Sequence, residues 1–473
     1  MRYAPILELW VDCAGMLPEE VEAALARLGQ QCDAADVTFL AVDGAAEPSE
    51  LNELLARSTA DWLVWIDASA SLAPGALTLI QAALGRFDVD VFYGHSSHPD
   101  GVIVRRPSAS PIRLRSQDYL GPVRGFRTTA IREAGGFAPD ASGSYPFELA
   151  LRLSQVGART LRIPEVLSIQ GEPSPGSVAV DRGVVSRYLD GIGIENSIEP
   201  GDGSVRVRYP VVGEPLVSLV IPTRGSSAVI HGRPSVLVVD AVRGIVERST
   251  YRAFELVIVA DDATPQDVID ELILVAGDRL RLVRWSEAFN FSAKMNRGTL
   301  FARGEYLVLL NDDVELISPD WIETMLGLAQ QRDVGLVGTL LYFEDGTVQH
   351  GGHLYSASWA GHIALGWEAS CDDRIGSMRV DREVSGVTAA CAMIRTDTFW
   401  EVGGFSLDFA GNYNDVDLSL KVAATGRRNI WTPHARLIHF ESKTRVPSVL
   451  PAELETLRAR WGTRLLSDPY WPE

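Results

Sequence analysis

A short phrase that occurs twice restricts the fold of this chain more than any other feature of the sequence. Two glycines followed by a phenylalanine end at Phe137 and again at Phe405, an offset of 405 − 137 = 268 positions. Residues 61–67 and 305–311 form an earlier similar pair, whose offset is 305 − 61 = 244 positions. Because the matches come in the same order in both halves, we expect one scaffold to be present twice.

The two copies differ where acids or an imidazole would carry chemistry. Three positions of the second copy and their counterparts in the first show this, namely Asp313 opposite Ser69, Asp415 opposite Pro146, and His439 opposite Gln170. A shared backbone with acids in only one copy predicts an enzymatic half and a non-catalytic half.

Length and charge limit the class of protein. A chain of 473 residues exceeds one ordinary core, so two or three domains are expected. The formal net charge of −19 argues against general binding to nucleic acid or to an anionic membrane, because both require a basic face. A local basic pocket for a phosphate remains compatible with this charge.

Cysteine usage and hydropathy predict the compartment. The four cysteines are scattered without the spacing of a metal site, which favours structural thiols in a reducing compartment. The first residues lack the apolar run of a signal peptide, and no stretch approaches about 18 apolar residues. We therefore expect a cytoplasmic protein and leave open a peripheral position at the inner face of the cell membrane.

Strand and helix signals alternate in both halves. In the first half, strand patterns at 6–11, 37–42 and 62–66 are separated by helix patterns at 18–28 and 49–57. In the second half the same alternation runs from residue 217 to residue 310, with one more strand pattern at 280–284. This alternation predicts an α/β fold with a mainly parallel sheet covered by helices on both faces. The first half is expected to be a shortened copy, because it lacks a counterpart of strand 280–284.

Breaker clusters at 172–176 and 199–203 suggest where the copies are joined. We predict a first domain over 1–170, a small α+β connector over 171–215 and a second domain over 216–445. A C-terminal helix and tail are expected over 446–473.

Carboxylates follow two strands of the second half directly. Asn311, Asp312 and Asp313 end the strand pattern at 306–310, and Asp261 ends the one at 256–260. Ligands of open α/β sheets bind at the carboxyl ends of strands, and hard oxygen ligands there suit Mg²⁺ or Mn²⁺. A solvated strand end, a turn or a helix cap is the alternative for each of these acids.

Cations and amides follow in the segment 289–298. Lys294 and Arg297 are three residues apart, so on a helix they share a face that could meet a diphosphate, unless they are ordinary solvated cations. Asp415 opens a later helix, either as its cap or as a general base, with Asp417 turned to a different face.

The histidines give weaker signals. His350 and His353 flank two glycines, which favours a turn over a metal site, and His434 or His439 is either structural or a metal ligand. The motifs GxGxxG after a strand, GxxxxGK[ST], HExxH and GxSxG are absent, which argues against Rossmann dehydrogenases, P-loop proteins and serine hydrolases.

Taken in order, several segments resemble family 2 glycosyltransferases of the GT-A fold. They are Val220–Arg224, Val259–Asp262, Phe289–Ser292, Leu310–Asp313, Glu401–Phe405 and Asn414–Leu418. The similarity is nearest to enzymes of bacterial cell-surface polysaccharide synthesis and covers about 217–445. The first half resembles the shorter, degenerate glycosyltransferase-like domain that is often fused ahead of such enzymes. The resemblance thus implies two GT-A-like (Rossmann-like) domains.

The resemblance also implies roles for individual residues. Donor binding would involve Pro222, Thr223, Arg224, Asp261, Asn290, Lys294, Arg297, Asn311 and Asp312. Asp313 would bind Mn²⁺ or Mg²⁺, and His439 corresponds to a position that completes the metal site in some members. Asp415 would be the catalytic base.

The implied activity is metal-dependent, inverting transfer of a sugar from a UDP- or dTDP-sugar to a hydroxyl of a saccharide or lipid-linked saccharide. Acceptor contacts are expected on the loops at 346–382. Two alternatives remain, a catalytically impaired carbohydrate-binding or assembly protein and, ranked lower, a nucleotidyltransferase. The first half is expected to be a packing or dimerisation platform, with an acceptor-binding surface as the alternative, and a homo-oligomer is left open.

Overall fold

The computed structural model describes residues 4–13, 16–31, 37–42, 46–139, 141, 144–170, 180–201, 203–441 and 450–472. The chain divides into two compact units. The first comprises residues 1–207, 374–380 and 472, and the second comprises residues 208–373, 381–471 and 473. The predicted four-part division is not tested by these units and stays a prediction, and residues 171–179 of its connector lie outside the described ranges.

The first unit is built on one mixed sheet with the strand order β2-β1-β3-β7-β5-β8-β4, and β6 pairs with β5. Its strands are β1 (Leu7–Asp12), β2 (Val37–Val42), β3 (Trp62–Asp67), β4 (Ala70–Leu72), β5 (Val91–Ser97), β6 (Ile103–Val104), β7 (Val123–Arg127) and β8 (Thr160–Gln170). Its helices are α1 (Pro18–Gln30), α2 (Pro48–Arg57), α3 (Ala76–Arg86), α4 (Pro111–Leu114), α5 (Thr128–Glu133), α6 (Tyr145–Gln155) and α7 (Arg182–Gly191). A separate hairpin of β9 (Ser197–Pro200) and β10 (Val205–Arg208) follows α7.

The second unit contains a larger sheet with the order β15-β14-β11-β16-β23-β18-β24-β17, where β19 pairs with β18 and β22 with β24. Its strands are β11 (Val217–Thr223), β14 (Phe254–Asp261), β15 (Leu280–Trp285), β16 (Tyr306–Leu310), β17 (Val314–Leu316), β18 (Val334–Tyr342), β19 (Val348–His350), β22 (Arg382–Val384), β23 (Cys391–Arg395) and β24 (Arg428–His439). Two hairpins stand apart from this sheet, β12 (Ser227–Ile230) with β13 (Arg233–Val236), and β20 (His353–Ser356) with β21 (Trp359–His362). The helices are α8 (Leu237–Arg248), α9 (Gln266–Ala276), α10 (Phe291–Phe301), α11 (Trp321–Ala329), α12 (Thr396–Glu401), α13 (Asn414–Ala424) and α14 (Pro451–Trp461).

The two sheets follow the same plan. When β1 is matched to β11, β2 to β14 and β3 to β16, the remaining strands coincide in order, and within the described residues β15 and β22 lack a counterpart in the first sheet. The predictions of a duplicated GT-A-like α/β scaffold and of a shortened first copy are therefore confirmed.

The predicted mainly parallel sheet is confirmed as a parallel-rich one, but the later strands of each sheet are mixed in direction, since β5 still runs parallel to β8 and β18 to β24. β11 runs parallel to β14 and β16, but β23 runs antiparallel to both β16 and β18. A central antiparallel strand that is buried on both faces has the same unbroken apolar pattern as a parallel one, so the sequence pattern does not report strand direction.

Strand registers reproduce the offsets read from the sequence. Trp62 pairs with Arg127 in the first unit, and Tyr306 pairs with Arg395 in the second, which gives 306 − 62 = 244 and 395 − 127 = 268. Likewise Ala70 lies opposite Gln170, whereas Val314 lies opposite His439. The predicted correspondence between His439 and Gln170 is therefore confirmed by the backbone pairing.

The repeated Gly-Gly-Phe phrase forms the same turn in both units. All four glycines have positive φ, between +62° and +89°. A Cβ on Gly136 would lie 2.3 Å from Asn52 Oδ1, and one on Gly404 would lie 2.8 Å from Asn296 Oδ1, so a side chain at either glycine would clash. These glycines serve the architecture, since the copy without the acids keeps them.

A matching asparagine holds each of these turns. Asn52 Nδ2 donates to Phe137 O at 3.0 Å while Phe137 N donates to Asn52 Oδ1 at 2.8 Å. Asn296 makes the same two bonds with Phe405, at 2.8 Å and 2.9 Å. The two asparagines are 296 − 52 = 244 positions apart, which is the offset of the earlier repeat. Sequence comparison missed this pair because the residues around it on α2 and α10 are dissimilar.

Close packing of α10 onto the sheet sets the position of the second unit's site. The central strands β11, β14 and β16 are almost completely buried, as expected for strands covered on both faces. Gly298 of α10 faces this layer, and a Cβ there would come within 2.5 Å of Val220 and 2.7 Å of Val259. Because this glycine lets the helix approach the sheet, the preceding turn of α10 lies against the ends of β11 and β14.

The sequence also predicted structural thiols and no membrane-spanning segment. Within the described residues, Cys371 and Cys391 are free thiols. In the described part of the chain, no helix is both long and apolar enough to cross a membrane.

Candidate active site

The strand ends of the second unit and the start of α13 open into one cavity of about 630 Å³. This volume is typical of a site for a small molecule. The cavity brings together predicted site residues from distant parts of the chain, namely Pro222, Thr223, Arg224, Asp261, Lys294, Asn311, Asp312, Asp313, Asp415 and His439. Asn290 and Arg297 are not among its lining residues.

Asp312 lies beside β11. Thr223 Oγ1 donates a hydrogen bond to Asp312 Oδ2 at 2.6 Å. Burial and the neighbouring charge of Asp313 raise the pKa of Asp312 to about 6, against the effect of this hydrogen bond. Two adjacent carboxylates at a strand end thus compete for the ionised state, which a cation between or beside them would relieve.

Asp313 forms an ion pair with His439. The Asp313 Oδ1 to His439 Nε2 distance is 3.1 Å, and both side chains are largely buried. Burial opposes both charges, but the pair outweighs it, so the pKa of Asp313 lies below and that of His439 above its usual value. The pairing of β17 with β24 brings the two side chains together, because Val314, the residue after Asp313, is paired with His439 across the sheet.

Gln349 fixes the orientation of the His439 ring. The Gln349 amide nitrogen donates to His439 O at 3.3 Å and to Glu441 Oε2 at 3.2 Å, so its oxygen must face the ring. His439 Nδ1 lies 2.7 Å from that oxygen and donates to it. In the neutral ring, Nε2 then presents its lone pair next to Asp313, the arrangement found in metal-ligating histidines.

This donor set fits a divalent cation. Asp313 and His439 offer a carboxylate and an imidazole nitrogen, and Asp312 supplies a second carboxylate nearby. No group of three or more histidine, cysteine or acidic side chains in the described ranges is arranged to hold a metal by itself. Mg²⁺ and Mn²⁺ sites commonly take only one or two protein carboxylates and complete their shell with substrate phosphates and water, so the set is sufficient for this class of site.

Lys294 lies at the centre of the donor side of the cavity. Its Nζ donates to Asp261 Oδ1 at 2.5 Å and to Thr223 O at 3.0 Å, and the residue is only 3% exposed. The ammonium thus ties the end of β14 to the end of β11. Asp261 and Lys294 were predicted separately, and the structure brings them together as a pair.

Two predicted donor-binding residues have structural contacts instead. Asn290 is the N-cap of α10, where its side-chain oxygen accepts from Ala293 N at 2.9 Å. The guanidinium of Arg297 lies 5.8 Å from the centre of the Trp285 ring, away from the cavity lining. The helix turns Arg297 toward β15, and its predicted contact with a diphosphate stays a prediction.

Asp415 is held as an anion. Val416 N donates to its Oδ1 at 2.8 Å, Ala389 N donates to Oδ2 at 3.4 Å, and His353 Nε2 lies 3.6 Å from Oδ2. Burial alone would raise the pKa of Asp415, but hydrogen bonds and the nearby imidazoles hold it well below its usual range. The carboxylate is therefore ionised and can accept a proton in the cavity.

A strained residue precedes this acid. Tyr413 has a φ of +59°, a left-handed conformation that is rare for a bulky residue, and it immediately precedes α13. Glu453 of α14 supports the loop, since its Oε1 accepts from Gly411 N at 2.8 Å and from Asn412 N at 3.1 Å. Its Oε2 accepts from Asn412 Nδ2 at 2.8 Å. The C-terminal helix is thus part of the framework that orients Asp415.

The same helix holds Asp417. Both Arg460 Nη1 and Trp461 Nε1 donate to Asp417 Oδ1 at 2.9 Å. Asp417 does not line the cavity, which confirms the expectation that it faces another way. Nothing in the sequence near Glu453 or Arg460 signalled this role, because the contacts join positions about 40 residues apart.

The segment 346–382 supplies further lining residues that were not singled out as site residues. His353, Trp359 and His362 come from the β20–β21 hairpin, and Trp359 is 47% exposed. The hairpin turns through Ala357 and Ser358, both with positive φ. The predicted turn at the glycines between His350 and His353 is confirmed, but the approach of His362 was not foreseen. His434 lies on β24 outside the cavity lining.

The first unit lacks these groups at the equivalent positions. Ser69, Pro146 and Gln170 stand where the second unit has Asp313, Asp415 and His439. The correspondence of Asn52 with Asn296 also aligns Glu50 with Lys294, which replaces the buried cation by an acid.

Comparison with known families agrees with this geometry. The family model for Glycosyl transferase family 2 matches residues 218–403. Over these residues the chain is similar to glycosyltransferase family 2. The match contains the acidic end of β16 and Lys294, whereas Asp415 and His439 follow it in the chain. The predicted family and enzyme class are thereby confirmed for this part of the second unit.

Two curated relatives are similar along most of the chain. The uncharacterized protein y4gI of Sinorhizobium fredii (strain NBRC 101917 / NGR234) is 28% identical over 501 residues, covering 97% of this chain and 53% of that protein. The O-antigen biosynthesis protein RfbC of Myxococcus xanthus is 30% identical over 425 residues, covering 85% of this chain and 32% of RfbC. The chain therefore spans about half the length of the first relative and about a third of the second.

Two solved structures are remotely similar to this chain. GalNAc-T7 with UDP, GalNAc and Mn²⁺ gives a TM-score of 0.43 at 14% identity, covering 55% of this chain and 50% of that one. The mannosyltransferase PcManGT from Pyrobaculum calidifontis with GDP-Man and Mn²⁺ gives 0.37 at 16% identity, covering 53% and 71%. Both TM-scores are below 0.5, so neither likeness supports an argument about this chain.

Proposed function

We propose that the second unit transfers a sugar from a nucleoside-diphosphate sugar to a hydroxyl of a saccharide or lipid-linked saccharide, with inversion at the anomeric carbon. One observation carries the proposal, namely that a single cavity is lined both by the acidic end of β16 and by Asp415 of α13. A donor diphosphate needs the first feature, and an acceptor hydroxyl needs the second. The name of RfbC supports a saccharide of the bacterial surface as the product, in the synthesis of O-antigen or a similar polysaccharide.

The donor side has the chemistry to bind a nucleoside diphosphate. Lys294, Thr223 and Arg224 line it together with Asp312 and Asp313. Asp313 and His439 would hold Mn²⁺ or Mg²⁺ beside the diphosphate, and Asp312 would add charge. When bound, the metal would supply Lewis-acid stabilisation of the leaving group's negative charge.

The acceptor side supplies a base without a nucleophile. An acceptor hydroxyl oxygen bonds to the anomeric carbon as the bond from that carbon to the diphosphate oxygen breaks, and the electron pair leaves with the nucleoside diphosphate. The hydroxyl proton passes to the carboxylate of Asp415. A direct displacement of this kind inverts the anomeric centre. The depressed pKa of Asp415 keeps the carboxylate ionised, so it holds no proton before the transfer begins.

The first unit is proposed to have no chemistry of its own. Its equivalents of the proposed metal ligand and base are Ser69 and Pro146, which can serve in neither role. A catalytically impaired binding protein remains the competing hypothesis for the whole chain, and it predicts that no nucleotide sugar is turned over. The cytoplasmic location and any association with a membrane or a second copy stay predictions.

A screen of UDP-, dTDP- and GDP-sugars for Mn²⁺- or Mg²⁺-dependent hydrolysis tests this function. Turnover should be lost on chelation and in Asp313→Ala. Asp415→Asn should lower transfer about 10²- to 10⁴-fold while the affinity for the nucleotide sugar stays within about twofold. Asp67→Asn, at the equivalent strand end of the first unit, is the matched control and should retain activity. Transfer that survives in Asp415→Asn would show that this residue is not the base.

A further inference from the structure

Three histidines gather on the Asp415 side of the cavity, and the proposed transfer gives none of them a contact with a substrate. His350 ends β19, while His353 and His362 belong to the β20–β21 hairpin. Their ring centres are 4.8 to 5.7 Å apart. His353 and His362 line the cavity, whereas His350 is only 1% exposed. Because these imidazoles lie close together beside an anionic base, the hydrogen bonds among them determine which ring nitrogens carry a proton.

The backbone determines the tautomer of His350. Thr388 N donates to His350 Nε2 at 3.2 Å. A backbone N–H can only donate, so His350 Nε2 carries no proton and the proton of the neutral ring is on Nδ1. His350 Nδ1 lies 2.6 Å from His362 Nδ1 and therefore donates to it.

The same reasoning fixes His362. Its Nδ1 accepts a hydrogen bond, so the single proton of the neutral ring is on Nε2. Burial lowers the pKa of His362 to about 4 and that of His350 well below its usual value, so both rings are neutral near pH 7. Among the described residues, His362 Nε2 has no hydrogen-bond partner. An N–H donor of fixed tautomer is thus available at the cavity wall beside Asp415.

An aromatic ring on the same hairpin indicates what this donor meets. Trp359 lines the cavity and is 47% exposed. Its ring lies over Gly361, where a Cβ would come within 1.9 Å of it, so only glycine permits this position. An exposed aromatic face next to a few fixed polar groups suits a neutral polyhydroxylated ligand, whose C–H groups pack on the ring while its hydroxyls form hydrogen bonds.

We propose that His362 is a specificity-determining residue that donates a hydrogen bond from Nε2 to a hydroxyl oxygen of the acceptor saccharide, next to the hydroxyl that reacts. His350 is the positioning residue that fixes the tautomer of His362. The inference rests on the proposed function, because the acceptor is the substrate whose hydroxyl meets Asp415. A neutral donor at this point selects a hydroxyl oxygen and gives no advantage to a cationic group.

Nuclear magnetic resonance of the full chain labelled with ¹⁵N-histidine tests the tautomers without any turnover. Correlations between ring nitrogens and carbon-bound protons should show His362 protonated at Nε2 and unprotonated at Nδ1. His350→Gln should preserve this state, because an amide can accept from Thr388 N and donate to His362. His350→Leu can do neither and should give mixed tautomers at His362. A wild-type His362 with its proton on Nδ1 would overturn the inference.

Kinetics with a panel of p-nitrophenyl monosaccharides as acceptor probes tests the contact. His362→Phe keeps a ring but no donor and should raise the acceptor KM about five- to tenfold, as expected for one lost hydrogen bond, with kcat changed less than twofold. His362→Gln keeps a side-chain N–H and should stay within about twofold of the wild-type KM. His350→Leu should shift KM in the same direction as His362→Phe.

The outcomes separate this inference from the proposed function. An unchanged acceptor KM in His362→Phe, or equal losses in His362→Phe and His362→Gln, would overturn the contact. The expected tautomers in a protein that turns over no nucleotide sugar would instead refute the proposed function and leave the histidine assignment standing.

Discussion

The paired asparagines Asn52 and Asn296 allow one perturbation to be made twice in the same molecule. Each donates to and accepts from the backbone of the phenylalanine that ends its Gly-Gly-Phe turn. Replacing either residue by alanine removes the same two hydrogen bonds. Asn296 differs in one respect, since it shares α10 with Lys294 of the proposed donor site, whereas α2 carries no such group.

The expected loss of stability is the same in both units. Two hydrogen bonds between neutral groups contribute about 1 kcal/mol each, and a phenylalanine N–H left without an acceptor costs about 1 kcal/mol more. That N–H is buried in both units, with Phe137 3% and Phe405 2% exposed. Alanine is a better helix former than asparagine, which offsets roughly 0.5 kcal/mol of this loss in the free energy of unfolding. Each substitution should therefore lower the free energy of unfolding of its own unit by about 2 to 3 kcal/mol.

The consequences for activity should differ. Asn296→Ala loosens the attachment of α10, so nucleotide-sugar turnover and affinity should fall, while Asn52→Ala should leave both within about twofold of the wild type. Hydrogen exchange followed by mass spectrometry assigns the loss of protection to one unit at a time, which a single melting curve of a two-unit chain does not. Equal losses of turnover in the two variants, or a loss of stability confined to one of them, would refute the reasoning.

Two further predictions concern the acceptor side. Glu453→Ala should lower kcat at least tenfold, because the loop before α13 loses three hydrogen bonds. Glu453→Gln keeps an acceptor for Gly411 N and should retain most of the activity. Steady-state kinetics of both variants test this prediction, and equal activities would contradict it. The folded-state pKa of His362, about 4 against an ordinary 6.5, means that the unfolded chain binds more protons between these values. The free energy of unfolding should therefore fall as the pH drops through this window, by roughly 3 kcal/mol for this group. Urea unfolding at several pH values should show a shallower fall in His362→Gln, and an unchanged slope would refute the pKa assignment.

The repeat made the scaffold predictable. Matching offsets of 244 and 268 positions identified residues that the strand registers later paired in the same way. The acids at the end of β16 were also foreseeable, because an apolar strand that stops at carboxylates places them at the sheet edge. Strand direction was not foreseeable, since buried strands look alike in either orientation.

Local spacing was a poor guide to which cations reach the cavity. Lys294 and Arg297 lie on one helix within a single turn, yet Lys294 is buried against Asp261 and Arg297 lies over Trp285. The angle at which α10 meets the sheet decides this, and Gly298 allows that approach by contacts with Val220 and Val259. Such packing is a property of facing surfaces and leaves no periodic signal in the helix itself.

By itself the sequence determined that one α/β scaffold is used twice and that only the second copy carries the acids, because repeats, strand patterns and the residues that end them are local properties. The tertiary structure alone decided how Asp415 is held and what surrounds it. His353, its neighbour, comes from a hairpin about 60 residues earlier, and Glu453, which supports the loop before it, comes from a helix about 40 residues later. Contacts between such distant segments depend on how whole elements pack, and no pattern along the chain encodes them directly.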